Sequence, residues 1–343
     1  MSKIVLIGGS AGAVKALELI LPKLPADFPA AILIVTHVGS YKSIVPDILN
    51  RCSALPVSHA TDGEPILPGR ILVAPPDEHL TVVMEGGSAY ARLLHGPKEN
   101  HCRPAIDPLF RSAAAAFQDN AIAVILTGYL DDGTVGMQAI KSCCGLAIVQ
   151  DPIEAEAADM PASAIEHVNV DRVLRLSDIG PALIELVGDS AAPLDAARND
   201  AAPVVQSWID IENHIAALES DMDDLDRIGR RSSLTCPDCN GALWEINTAG
   251  PLRYRCHTGH AFTAKTLEAL QRDSVEDAIW GAIRALHEQE RLFKTLCERE
   301  TKSRHAERAA EYAEKAMQAK IRSQTLREVI ALRVLVVKAR ESS

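Results

Sequence analysis

The stretch Ile4-Val5-Leu6-Ile7-Gly8-Gly9-Ser10-Ala11-Gly12-Ala13-Val14 decides how the first half of this 343-residue chain folds. A short apolar run breaks at two glycines, presents a serine, and continues into helix-forming residues. That is a strand, a tight turn and a helix N-terminus, which can either cradle a phosphate or raise a nucleophile. A P-loop would continue Gly-Lys-Ser/Thr, whereas here the turn runs Gly12-Ala13-Val14. A dinucleotide turn needs glycine where Ser10 stands and an acidic residue closing the second strand. That strand, Ile32-Leu33-Ile34-Val35-Thr36, runs into His37. The pattern that fits is G-x-S-x-G, in which small neighbours let the backbone lift a serine hydroxyl clear of the sheet.

Working outward, apolar β-branched runs at 4–7, 31–36, 71–73, 121–126 and 146–149 alternate with helical patterns near 14–21, 41–51, 108–116 and 136–143. Continuously apolar strands with helical crossovers predict an α/β domain: a doubly wound, Rossmann-like parallel sheet covered on both faces. Segments 80–84 and 89–94, joined by Glu85-Gly86-Gly87-Ser88, predict an antiparallel hairpin added to it. Ligands on such sheets bind at the carboxyl ends of the strands, where Ser10 and His37 fall. The strand at 121–126 runs into Thr127-Gly128-Tyr129-Leu130-Asp131-Asp132-Gly133, adding two carboxylates to that edge. A serine needs a base to take its proton, and the base needs a group to orient it. The order Ser, His, Asp differs from that of the α/β-hydrolases, where histidine comes last, unless His167 is the base.

A net charge of −11 argues against a general nucleic-acid binder, because phosphate contacts need clustered Lys and Arg. No apolar stretch is long enough to span a membrane, and the N-terminal run reads as a strand rather than a signal peptide. The expected location is the cytoplasm, with Cys52, Cys102, Cys143, Cys144 and Cys297 as reduced thiols.

The chain divides into a catalytic domain at 1–187, a linker at 188–203 poor in large apolar residues, and one amphipathic helix at 204–230. A zinc-ribbon-like segment at 231–262 and a helical region at 263–343 follow. The linker predicts that the first domain folds independently of the rest. The terminal region reads as a short helix at 263–272 and two long ones parted near 301–304. In the ribbon, Cys236-x-x-Cys239 and Cys256-His257-Thr258-Gly259-His260 supply two ligand pairs separated by 16 residues. Such pairs close a tetrahedral shell favouring Zn2+, and four protein ligands make the site structural. His260 is preferred to His257 as fourth ligand, because Gly259 allows the turn. A redox Cys-x-x-Cys would need a thioredoxin-like βαβ surround, which the pattern lacks.

The motifs of residues 1–187 together resemble the catalytic domain of the CheB-type chemotaxis protein-glutamate methylesterases. The resemblance rests on Gly8-Gly9-Ser10-Ala11-Gly12-Ala13, on Val35-Thr36-His37 and on Thr127-Gly128-Tyr129-Leu130-Asp131-Asp132-Gly133. It extends to Ala74-Pro75-Pro76-Asp77-Glu78-His79, Arg103-Pro104-Ala105-Ile106-Asp107-Pro108-Leu109-Phe110, Gln150-Asp151 and Asp159-Met160-Pro161. It implies Ser10 as nucleophile, His37 as base and then acid, and Asp132 rather than Asp131 as the histidine's orienter. Ala11 and Tyr129 stand where the family has threonine and methionine, and line the oxyanion and substrate pocket. The implied activity is demethylation of γ-glutamyl methyl esters of chemoreceptors, with glutamine deamidation beside it and no cofactor for catalysis.

The implied partners are the methylated receptor and chemosensory signalling proteins. The C-terminal helices suit receptor docking and a homodimer equally. Many family members begin with a receiver domain, whereas this chain opens at the catalytic sheet, so phosphorylation in cis is not expected. The rival reading is a weakly catalytic scaffold acting through its ribbon and helices. Arg103 and Asp107 suit substrate contact or structural pairing equally, His79, His95 and His101 read as surface or loop residues, and Pro161 as a turn residue.

Overall fold

The computed structural model describes residues 2–37, 43–188, 202–219, 222–247 and 250–341. Its centre is a seven-stranded parallel sheet. Strands β1 (Ile4–Gly9), β2 (Ala31–Thr36), β3 (Val57–His59) and β4 (Ile71–Val73) precede a hairpin of β5 (His79–Glu85) and β6 (Ser88–Leu94). After it come β7 (Ala121–Ile125), β8 (Leu146–Gln150) and β9 (Arg172–Leu174). The order across the sheet is β3-β4-β2-β1-β7-β8-β9. Crossover helices are α1 (Ala13–Ile20), α2 (Val45–Asn50), α3 (Ile106–Phe117), α4 (Thr134–Ser142) and α5 (Asp159–His167), with α6 (Leu176–Gly188) closing the domain.

Alternate residues of one strand serve opposite faces. Ile4 and Leu6 join the apolar cluster containing Leu109 and Phe110, while Val5 and Ile7 join the one containing Leu17 and Ile20. This two-sided burial is why the strands read as unbroken apolar runs. The fold is the doubly wound α/β sheet expected. The hairpin, however, forms its own two-stranded sheet instead of extending the main one, and it packs against α3, where the Ser112 hydroxyl accepts from Val82 N–H (3.0 Å). The three-residue edge strands β3 and β9 are too short to show a period of their own.

The expected linker lies, from 189 to 201, outside the described residues. The single helix read at 204–230 is two, α7 (Ala202–Ala216) and α8 (Met222–Ile228). Leu218 turns left-handed at φ +62°, and Glu219 N–H reaches back to His214 C=O, capping α7. An antiparallel sheet follows, formed by β10 (Gly229–Thr235), β11 (Ala242–Ile246), β12 (Arg253–Cys256) and β13 (Ala261–Thr263) in that order. The short helix read at 263–272 is the first part of α9 (Ala264–Lys302), and α10 (Ala306–Glu341) completes the chain.

Residues 1–267 form one compact unit and 268–343 a second. In the second, Phe293 stacks on Tyr312 with centroids 6.3 Å apart, and His287 hydrogen-bonds Ser323 at 2.7 Å. In the first, the ribbon and α7 do not stand apart from the catalytic sheet. Trp208, Ile211, Ile215, Trp244 and Ile246 belong to the same apolar cluster as Leu109 and Phe110 of α3. Through the middle runs a buried ionic network. Arg111 of α3 binds Glu99 (2.8 Å) and Glu212 of α7 (3.2 Å), and Arg255 of β12 binds both glutamates (3.0 and 3.3 Å). Arg253 binds Glu212 and lies over the Trp208 ring at 4.9 Å. The neighbouring guanidinium groups hold Glu99 and Glu212 ionised against the burial that opposes it. A 1–187 fragment would leave Glu99 and Arg111 without Glu212 and Arg255.

Candidate active site

Register sets the serine and histidine side by side. Gly9 of β1 pairs with Thr36 of β2, so Ser10 and His37 each follow directly from one register pair. His37 N–H donates to Gly9 C=O (3.3 Å), and Ser10 N–H donates to Thr127 C=O (2.9 Å). Thr127 lies just past β7, the neighbour of β1 on its other side. Two glycines make this edge buildable. Gly12 sits at φ +78°, a region L side chains rarely enter. A Cβ on Gly128 would fall 2.9 Å from the Ser10 Cβ and 2.0 Å from the Met160 Sδ, so only glycine lets the 127–130 turn pass the serine. Among the described residues no hydrogen bond joins the Ser10 hydroxyl to the His37 ring; such bonds are often loose before substrate binds.

The third group is in place. His37 Nε2 lies 2.7 Å from Asp132 Oδ2, which also accepts from Ile106 N–H (2.7 Å). Asp132 Oδ1 accepts from the Asn100 carboxamide (3.0 Å) and, more weakly, from Asp107 N–H (3.4 Å). Two of these donors are the first amides of α3, whose positive dipole end favours an anion there. This is the structural work of the Arg103-to-Phe110 motif. Burial opposes the Asp132 carboxylate, but the hydrogen bonds from His37, Ile106 and Asn100 keep its pKa below the ordinary value.

Burial alone would lower the pKa of His37; hydrogen bonds to Asp132 and Cys102, with the charge of Asp132, outweigh it and raise the value to about 10 from 6.5. A base acts only when neutral, so kcat/KM for a small ester is expected to climb with pH, its acid limb well above 6.5. Asp132→Asn should move that limb downward, because burial then dominates. A wild-type limb at 6.5 would refute the raised value. Measuring kcat/KM between pH 5 and 10.5 decides it.

Asp131 faces away from the histidine. Its Oδ1 accepts from the hydroxyls of Thr263 (2.8 Å) and Thr266 (3.1 Å), and burial raises its pKa. The turn between Thr127 and Leu130 is pinned to the segment after β8. Gln150 Oε1 accepts from Thr127 N–H (2.8 Å), Gly128 N–H donates to Ala157 C=O (3.0 Å) and Met160 N–H to Gly128 C=O (2.9 Å). Tyr129 consequently projects outward, 64% exposed. The N–H groups of Ala11 and Tyr129 meet no acceptor among the described residues.

Arg103 and Asp107 both serve structure. Arg103 holds Asp77 (2.8 Å) and Gly96 C=O (2.6 Å), while Asp107 accepts from Gly136 N–H (2.6 Å) and Asn100 (3.0 Å). His79 is buried, contrary to its reading as a surface residue: it bridges Pro97 C=O (3.0 Å) and Ala105 N–H (3.1 Å), and burial lowers its pKa. Pro161 lies in the first turn of α5, where its missing N–H costs nothing. Asn100 was not picked out from the sequence; an asparagine in a loop carries no local signal of the carboxylate it serves.

In the ribbon, Cys236, Cys239, Cys256 and His260 bring their ligand atoms within 4.8 Å of one another, and His257 is not among them. Cys239 and Cys256 sulfurs are 3.7 Å apart, and Cys256 Sγ is 3.5 Å from His260 Nδ1. These are the edge lengths of a tetrahedron built on bonds of about 2.3 Å to sulfur and slightly shorter to nitrogen. The four donors therefore fit a metal ion.

Residues 5–183 match the CheB methylesterase family. A relative from Leptospira interrogans is 40% identical over 183 residues, 53% of this chain and 93% of that protein. The protein-glutamate methylesterase/protein-glutamine glutaminase of Thermotoga maritima is 40% identical over 187 residues, covering 54% of each chain. The crystal structure of the Thermotoga maritima CheB methylesterase catalytic domain aligns with a TM-score of 0.53 at 38% identity, covering 54% of this chain and 99% of that one. The alignments cover about half of this chain, as the catalytic sheet does.

Proposed function

This chain belongs to the CheB methylesterase family, and we propose that Ser10, His37 and Asp132 are the groups with which it hydrolyses γ-glutamyl methyl esters of chemoreceptors. It is a carboxylic-ester hydrolase, as its relatives are. The observation that carries the assignment is the Asp132 carboxylate, buried beside His37 at 2.7 Å on the same sheet edge as Ser10.

In the proposed reaction His37 takes the Ser10 proton as the oxygen attacks the ester carbonyl. The N–H groups of Ala11 and Tyr129 would donate to the developing oxyanion. The His37 proton passes to the departing methoxide, releasing methanol and leaving a glutamyl ester on Ser10. Water then gives up a proton to His37, its oxygen attacks that ester, and the proton returns to Ser10 as the receptor carboxylate leaves. The same cycle on a glutamine side chain would release ammonia, the glutaminase reaction named for the relatives. No group outside the chain is needed. The direct test is methanol release from a methylated receptor fragment: release by the wild type and none by Ser10→Ala supports the reading, and a folded wild type that releases none refutes it.

The proposal keeps the division of the sequence into catalytic domain, linker, amphipathic helix, ribbon and helices, with the first 267 residues packing as a unit. It places the enzyme in the cytoplasm. The helices beyond the ribbon are offered to receptor, signalling partners or a second copy.

For the ribbon cluster the proposed ion is zinc, held by Cys236, Cys239, Cys256 and His260 in a closed, structural shell. A segment this small has little core of its own, so the ion would stabilise its fold. Elemental analysis should give one zinc per chain. Cys236→Ser or Cys239→Ser should lose it and speed proteolysis within 234–262. Metal-free protein with an equally resistant segment would disprove the zinc site.

A further inference from the structure

The ribbon does more than abut the catalytic sheet, for it touches the group that holds the Asp132 carboxylate. Asn100 occupies the junction. Its Nδ2 donates to Asp132 Oδ1 and to Asp107 Oδ2, both at 3.0 Å, and its Oδ1 accepts from the backbone N–H of Thr263 in β13 (3.1 Å). Asn100 N–H donates to Ala261 C=O of the same strand (2.8 Å). Both polar atoms of the side chain and the backbone N–H are therefore used, and the residue is buried. Its backbone is left-handed, φ +51°, a conformation asparagine tolerates better than most residues.

Two carboxyl groups face the Asn100 carboxamide. Burial and the charge of Asp132 push the Asp107 pKa well above the ordinary value, while Asp132 stays ionised. Asn100 can satisfy both only if its amide does not rotate, since a flip would aim its carbonyl oxygen at a carboxylate. The Thr263 N–H enforces that orientation, because it donates and therefore requires the oxygen on its side. Neighbouring bonds repeat the pattern. Thr263 and Thr266 hydroxyls fix Asp131, the residue beside Asp132 in the chain.

We propose that Asn100 is a positioning residue for the Asp132 carboxylate, and that strand β13 of the ribbon fixes its orientation, making the ribbon part of the catalytic unit. The inference rests on the proposed triad. It predicts that a change confined to the Asn100 side chain lowers turnover through His37 without altering substrate binding.

Asn100→Gly removes the carboxamide while tolerating the left-handed backbone, and Asn100→Asp keeps the acceptor for Thr263 but loses the donor to Asp132. Both should lower kcat for a small ester about 10- to 100-fold, the range seen when a partner that orients a functional side chain is removed. KM should stay within threefold. In Asn100→Gly the acid limb of the pH profile should move to lower pH, as His37 loses a well-aligned carboxylate, and the Thr263 amide should exchange its hydrogen faster. An unchanged kcat overturns the proposal. So does a lower kcat that tracks a lower melting temperature while the acid limb stays put, because that is a structural role alone. Ser10→Ala, run in parallel, separates the two failures: if it remains active the triad is wrong, and if it is dead while Asn100→Gly is unaffected, only the positioning role falls.

Discussion

Alanine at Ser10, His37 or Asp132 is expected to lower kcat for ester hydrolysis by roughly three orders of magnitude or more, and a double variant to lose little beyond its worse single one. The reason is that, in the proposed triad, the three residues act as a unit. Without Ser10 there is no nucleophile, without His37 the hydroxyl keeps its proton, and without Asp132 the imidazole is neither oriented nor stabilised when charged. Asp131→Ala provides the internal contrast. Its carboxylate binds Thr263 and Thr266 rather than His37, so it should lower the melting temperature more than it lowers kcat. Methanol release and small-ester turnover, measured on folded variants, test both statements. If Ser10→Ala turns over like the wild type, or if double-variant losses multiply, the three residues are not a triad.

The second large effect concerns stability. Glu212→Ala is expected to destabilise the first unit by about 3–5 kcal/mol, the usual consequence of removing one partner from a buried ion pair. Glu212 is fully buried and neutralises charge on Arg111, Arg253 and Arg255. Its loss leaves Glu99, which binds Arg111 and Arg255, as the carboxylate shown bridging these guanidinium groups. At about 2–4 °C per kcal/mol for a unit of this size, the melting temperature should fall by roughly 10 °C. Urea unfolding followed by both fluorescence and ester turnover measures the change. A loss below about 1 kcal/mol would mean that water reaches the network and screens it, as for surface pairs.

Much of this protein is legible in its sequence because the signals are local. The apolar runs of β1, β2, β7 and β8, the turn around Ser10 and the spacing of the cysteine pairs each follow from backbone geometry within a few residues. The continuous burial of the strands announces a parallel sheet, and a parallel sheet gathers its strand ends at one edge. That edge is where Ser10, His37 and Asp132 were expected and where they lie. The break between α7 and α8 was not legible, since Leu218 turns left-handed with no glycine to mark it.

Sequence by itself determined the fold class and the glycine turn, and singled out the candidate triad and the four candidate metal ligands. Tertiary structure alone decided that Asp107 and Arg103 pair within the protein and that the ribbon shares a core with the sheet. The physical reason is distance along the chain. Thr263 and Asn100 are separated by 163 residues and Arg255 and Glu99 by 156, and no local pattern encodes such pairs. A buried arginine reads in sequence like an exposed one, because only the glutamates that fold against it make its burial affordable.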